Sequence, residues 1–153
     1  MKIGVQKDTS VSFSTRDFDL VHDDEDLRVT QAYCSALSCQ YSGVENAYWE
    51  DFARLVLEAA YEATLWTSVH VQYEGKGNNR VYLTFLGGGV FGNDPRWIAD
   101  SIGRACAILD FHGADLEILV CHYKAVNHDL MDYIDSSYAR YKEKIVNEGC
   151  RYH

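Results

Sequence analysis

The stretch that most restricts the fold is "RVYLTFLGGGVFGNDPRWIADSIGRACAIL" (residues 80–109), followed by "LEILVCHY" at residues 116–123. Residues 80–86 form an apolar, β-branched and aromatic run, the pattern of a strand covered on both faces. Three consecutive glycines follow, then Gly92 and the chain's only proline. Pro95 suits the first position of a helix, where its missing N–H costs nothing, and Asn93 or Asp94 can cap that end. Ile98, Ile102, Ala105 and Leu109 repeat with helical spacing. Residues 116–123 read as a second buried strand. A strand, helix and strand joined in this way close as a right-handed crossover between parallel strands.

The alternation extends to both sides. "RVTQAYC" (28–34) reads as a strand that enters a small, polar loop, "SALSCQYSG". Trp49, Phe52, Val56, Ala59, Ala60, Ala63 and Trp66 then make one apolar helical stripe, which "GKGNN" (75–79) ends with turn chemistry. Asn127 opens a last helix with the stripe Leu130, Ile134, Tyr138, Tyr141 and Ile145. The order from residue 28 onward is β-α-β-α-β-α. It predicts an α/β fold, a three-layer α/β/α sandwich with a mixed, mostly parallel sheet. Upstream, "KIGV" and "VSFS" read as short β pieces. "DFDLVHDDED" (17–26) reads as a solvated acidic loop, since the alternating ligands and central glycine of a calcium loop are missing. No repeat or composition break divides residues 1–153, which are read as a single domain.

Composition narrows the partners. The net charge of −9 argues against a sequence-independent grip on nucleic acid, which needs clustered Lys and Arg. No apolar run approaches the roughly 20 residues that span a bilayer, and "MKIGVQKDTS" lacks the apolar core of a secretory signal. The five cysteines show no CxxC spacing, and Cys106 and Cys121 fall on segments read as buried. Neither a disulfide framework nor a metal site is expected, and the setting expected is intracellular, in the cytoplasm. His122 and His128 are too loosely spaced for a ligand pair, and Cys34 beside Ser35 has no positioned base. Trp49, Trp66 and Trp97 read as core anchors. No cofactor is expected.

The glycines carry the functional signal. Gly in regular structure costs roughly 0.5–1 kcal/mol relative to Ala, so four together call for a reason. A glycine loop opening a helix leaves backbone N–H groups free to surround a phosphate, with the helix N-terminus adding partial positive charge. Gly87, Gly89 and Gly92 satisfy G-x-G-x-x-G, yet the next strand ends in Cys121, His122 and Tyr123, without the acidic residue that binds a dinucleotide ribose. Asn93 and Asp94 stand where a P-loop needs Lys and Ser or Thr. Ligands of open α/β sheets sit beyond the carboxyl ends of the strands, where "CSALSCQYSG", "GGGVFGN" and "HYKAVNH" converge. Ser35, Ala36 and Tyr41 therefore join the expected ligand-binding set.

The stretch from Val81 to Tyr123 resembles the C-terminal half of macrodomains, the ADP-ribose-binding modules, in particular the branch of poly(ADP-ribose) glycohydrolases and bacterial macrodomain effectors. The upstream "QAYCSALSCQYSG…YWEDFARLVLEAAYEATL" is similar to the strand, loop and helix that precede it there. The resemblance covers roughly residues 28–135, leaving residues 1–27 as a divergent N-terminal segment. It implies that Gly87, Gly88, Gly89, Val90, Phe91, Gly92 and Asn93 wrap a diphosphate, that Phe91 faces the distal ribose and that Tyr123 lies near the adenosine end. The implied ligand is ADP-ribose or an ADP-ribosylated protein, and the implied reaction class is hydrolytic removal of ADP-ribose. Residues 1–27 hold neither the asparagine-rich or triple-glycine loop nor the glutamates of such glycohydrolases. Asp94, Glu50 and Asp51 are explained by helix ends, and nothing positions Asp17, Asp19 or Asp23, so no catalytic residue is assigned. The alternative is a noncatalytic protein-interaction domain on the same scaffold, using its acidic N-terminal segment or its tyrosine-rich last helix, a surface that eleven tyrosines make plausible.

Overall fold

The computed structural model describes residues 2–14 and 20–148, with residues 12–14 and 20–26 described by backbone alone. In chain order the elements are β1 (Gly4–Ser14), β2 (Leu20–Tyr33), α1 (Glu50–Tyr73), β3 (Arg80–Thr84), α2 (Pro95–Phe111), β4 (Glu117–Cys121) and α3 (His128–Glu148). Short 3-10 turns at Cys39–Ser42 and Asn46–Tyr48 join β2 to α1.

The helix after the glycines is the centre of the molecule. Asp94 caps α2, its carboxylate accepting from the Arg96 amide at 2.7 Å, and Pro95 occupies the first turn. Ile98, Ile102, Ala105 and Leu109 are buried as the spacing predicts, but so are Trp97, Ala99, Asp100, Gly103 and Arg104. A helix buried on nearly all sides needs neighbours on each. α1 and α3 flank α2, and Val81 and Leu83 of β3 join the same core.

The expected three-layer sandwich does not form. Among the described residues three helices pack with two separate two-stranded sheets, β1–β2 antiparallel and β3–β4 parallel. The reason lies in β2, which pairs with β1 from Gly4↔Tyr33 to Ser14↔Leu20 and does not extend the parallel sheet. Register shifts interrupt this hairpin, one of them around Asp8, whose φ of 60° fits an irregular ladder. "KIGV" and "VSFS" thus belong largely to one strand, and residues 20–26 of the expected acidic loop are strand; residues 17–19 lie outside the described residues. The Lys7 ammonium reaches Glu74 at the end of α1, 2.9 Å away, and ties the hairpin to the body.

The parallel pair is covered on one face only. In register, Arg80↔Glu117, Tyr82↔Leu119 and Thr84↔Cys121 occupy the outer face, all exposed, with Tyr82 at 65%. The two-sided burial expected for these strands is corrected accordingly, because among the described residues no helix lies over that face. Cys121 is exposed, whereas Cys106 is partly buried and burial pushes its thiol up to about 11.

The buried face of α1 also differs. Ala53, Leu57, Ala60, Tyr61, Leu65 and Val71 are buried, while Phe52 and Trp66 of the expected stripe are exposed. The face is turned by about one residue, or roughly 100°. The large aromatics are displaced by a polar seam along α2. Arg54 reaches Asp100 at 2.9 Å, and Arg104 reaches Glu62 at 2.8 Å and Glu58 at 3.3 Å. Trp66 leans instead on the ring of His112, 5.3 Å between centroids. Among the described residues no helix is long and apolar enough to cross a membrane.

Candidate functional site

The loop between β3 and α2 is fixed from both sides. Tyr61 of α1 donates its hydroxyl to the Thr84 carbonyl at 2.7 Å and accepts from the Leu86 amide at 2.9 Å. Burial holds that phenol far above its ordinary pKa, although the bond from the Leu86 amide pulls the other way, so it stays a neutral donor. At the other end Asn93 is buried, its amide nitrogen donating to Leu37 at 2.7 Å and to Gly87 at 3.2 Å. The Gln40 amide donates to the Phe91 carbonyl at 3.1 Å, and the Asn46 side chain donates to that of Gly92 at 2.8 Å. Residues 36–46 and the glycine loop are therefore one assembly.

The four glycines divide by conformation. Gly87 and Gly92 have φ of 76° and 72°, the left-handed region where a side chain is strained. A Cβ on Gly87 would also stand 2.4 Å from the Ala36 Cβ, and one on Gly92 2.9 Å from the Gln40 Cβ. These two glycines are required by the turn itself. Gly88 and Gly89 do not need positive φ, and a Cβ on Gly89 would meet nothing within 4 Å. Their lack of side chains leaves one wall of a groove open.

That groove, of about 660 Å³, lies beyond the carboxyl ends of β3 and β4, within the range of small-molecule sites. Gly88 and Gly89 form one part of its wall, Phe85, Pro95 and Ile98 another, and the loop from His122 to Asn127 faces them. Among the described residues, none of its lining side chains is a carboxylate, lysine or arginine. Within the glycine loop, the amides of Gly88, Gly92 and Asn93 are engaged by the Phe85, Gly89 and Gly87 carbonyls. Among the described residues no carbonyl or side chain takes the amides of Gly89, Val90 or Phe91. The first turn of α2 contributes less than the sequence suggests, because Asp94 takes the amides of Arg96, Trp97 and Ile98 through its carboxylate and carbonyl.

Of the residues singled out from sequence, Gly88, Gly89 and Tyr123 line the groove. Buried Asn93 and Ala36, with half-buried Gly87, form the seam behind it, and Gly92 packs on Gln40. Val90 is exposed, and Phe91 meets Tyr41 edge-on with ring centroids 6.4 Å apart. Tyr41 lines a separate hollow of about 210 Å³ with Leu37 and Trp49. Ser35 is exposed and donates to the Ala36 carbonyl at 3.1 Å.

Sequence reasoning did not single out Phe85, Ile98 or Asn127 as lining residues; only their place at strand and helix ends marks them. His122, one of the two histidines whose spacing is too loose for a ligand pair, lines the groove. Its Nδ1 accepts from the Asn127 amide at 3.4 Å and its Nε2 lies 3.3 Å from the Met131 sulfur, so both ring nitrogens are engaged. The ring packs on Phe85, 5.2 Å between centroids, as part of the groove wall.

Compared with known proteins, the chain matches no family model, no curated protein and no solved structure. The resemblance to macrodomains rests on the quoted residues alone.

Proposed function

We propose that this chain binds ADP-ribose, free or attached to a protein, with the diphosphate against Gly88, Gly89 and the amides of Gly89 to Phe91. The observation that carries the reading is that Gly89 stands at the groove wall with neither a positive φ nor a Cβ contact to require glycine, beside Gly88, whose Cβ would press on Ile98 at 3.1 Å but whose φ is also ordinary. A backbone without side chains lets an anion approach unbonded N–H groups, each charge-assisted bond being worth roughly 1.5–3 kcal/mol. The apolar remainder of the groove suits a nucleoside. Binding is favoured over hydrolysis, because among the described residues the groove lining offers no carboxylate, and both ring nitrogens of its one imidazole, His122, are already engaged.

Gly89→Leu tests the reading without disturbing the fold, since open space surrounds the new Cβ. Calorimetry with ADP-ribose should show 1:1 binding to the wild type and at least about a tenfold loss in the variant, equivalent to roughly 1.4 kcal/mol. A variant that melts like the wild type and binds ADP-ribose as tightly sinks the assignment.

A further inference from the structure

We propose that Lys124 is the cation that completes the groove, a binding residue that holds the phosphates of the ligand from the side opposite the glycine loop. The assignment rests on the proposed nucleotide reading of the same groove.

Three observations place it there. Tyr123 and Ala125 both line the groove, so Lys124 sits between two wall residues. The Ala125 amide donates to the Tyr123 carbonyl at 3.1 Å, and Lys124 at the centre of this three-residue turn has φ 71°. Such a turn is rare and strained for a residue with a side chain. Glycine would remove that strain, yet the position holds a lysine. The turn carries the exposed Tyr123 ring, with the Lys124 ammonium 5.3 Å from its centroid.

The third observation is charge. In a chain with 23 carboxylates, Lys7, Arg54, Arg80, Arg104, Arg140 and Lys142 each have an acidic partner. Lys124 has no ion pair among the described residues, which is equally true of Lys2, Lys76 and Lys144, but of these only Lys124 lies between groove-wall residues, and its only described interaction is with the Tyr123 ring. A groove without charged lining side chains would otherwise hold a dianion by neutral dipoles alone. An ammonium on a flexible stem at its rim supplies the missing countercharge without burying it, so the desolvation cost stays small. Arg96, next to the lining residue Pro95, is the other cation beside the groove without an ion pair among the described residues.

The test compares wild type, Lys124→Gln, Lys124→Gly and Arg96→Gln by calorimetry with ADP-ribose, inorganic pyrophosphate and adenosine, at low and high salt. Both Lys124 variants should bind ADP-ribose and pyrophosphate about five- to tenfold more weakly at low salt, with the difference shrinking at high salt, and should bind adenosine like the wild type. Lys124→Gly, which relieves the turn, should melt no lower than wild type, so its loss of affinity cannot be a loss of fold. Undiminished ADP-ribose affinity in Lys124→Gln, an equal loss for adenosine, or a loss confined to Arg96→Gln overturns the assignment of Lys124 alone. A wild-type protein that binds neither ADP-ribose nor pyrophosphate overturns the proposed function and this assignment together.

Discussion

Gly103→Ala should destabilise the protein by about 2–4 kcal/mol, although alanine is the better helix former by roughly 1 kcal/mol. Gly103 lies where α2 meets α3. A Cβ there would stand 2.7 Å from the Ile134 carbonyl oxygen, 2.7 Å from the Ser137 Cβ and 2.8 Å from the Tyr138 nitrogen. Two of those atoms are backbone, so no side chain can swing away, and α3 itself must shift. The shift would strain the contacts of Ile134 and Ser137, both buried against α2. At roughly 2–4 °C per kcal/mol for a chain of this size, the melting temperature should fall by about 4–16 °C. Gly89→Ala is the control, with no Cβ contact within 4 Å, and should stay within about 0.5 kcal/mol of wild type. Equal melting temperatures for wild type and Gly103→Ala would show that α2 and α3 do not pack so closely.

That contact marks how far the sequence could be read. The period of α2 was legible because its apolar residues, its Asp94 cap and Pro95 all point to one helix. Less legible was that its other faces are also buried; Ala99, Gly103 and Ala107 form a small-residue row at i, i+4 and i+8, a signal for close helix packing that the apolar stripe overshadowed. In α1 the conspicuous aromatics suggested the wrong face, because spacing alone does not reveal that Arg54, Glu58 and Glu62 turn towards buried partners on α2. The strands β3 and β4 were legible as strands, but an apolar run does not say how many faces are covered, and Tyr82 lies on the bare one. For β2 the deciding factor was pairing. A segment whose carboxylates suggest a loop is strand once β1 lies beside it. At the site, glycine count was legible and glycine function was not. Only backbone angles separate Gly87 and Gly92, which the turn requires, from Gly88 and Gly89, which it does not.

Asp100→Ala should cost about 3 kcal/mol and Asp100→Asn less, and the asparagine variant should also lose part of the protein's acid sensitivity. Asp100 joins all three helices. Its carboxylate accepts from Arg54 at 2.9 Å, from the Ser137 hydroxyl at 2.8 Å, from Tyr141 at 3.1 Å and from Arg140. Removing one member of a buried charge pair typically costs 3–5 kcal/mol; the lower end applies here because Arg140 is more than half exposed and can be rehydrated. Burial by itself would raise the Asp100 carboxyl, but Ser137, Arg140 and Tyr141 together hold it below the ordinary range. An unfolded aspartate titrates near about 3.9. A folded value below that gives stability that is complete above about pH 4 and is lost as pH falls through the folded value. Glu58 acts with the opposite sign. Burial raises its carboxyl despite Arg104, so its ionisation costs stability, and that cost fades as pH falls towards about 4.3. Urea midpoints followed from neutral pH into acid should therefore hold level or rise slightly, then drop steeply below about pH 4. Asp110 and Glu74, also depressed by their partners, add to the same drop, so Asp100→Asn should make it shallower without abolishing it. An acid limb in Asp100→Asn as steep as that of the wild type would mean that the buried carboxylate is not the ionised link between the helices.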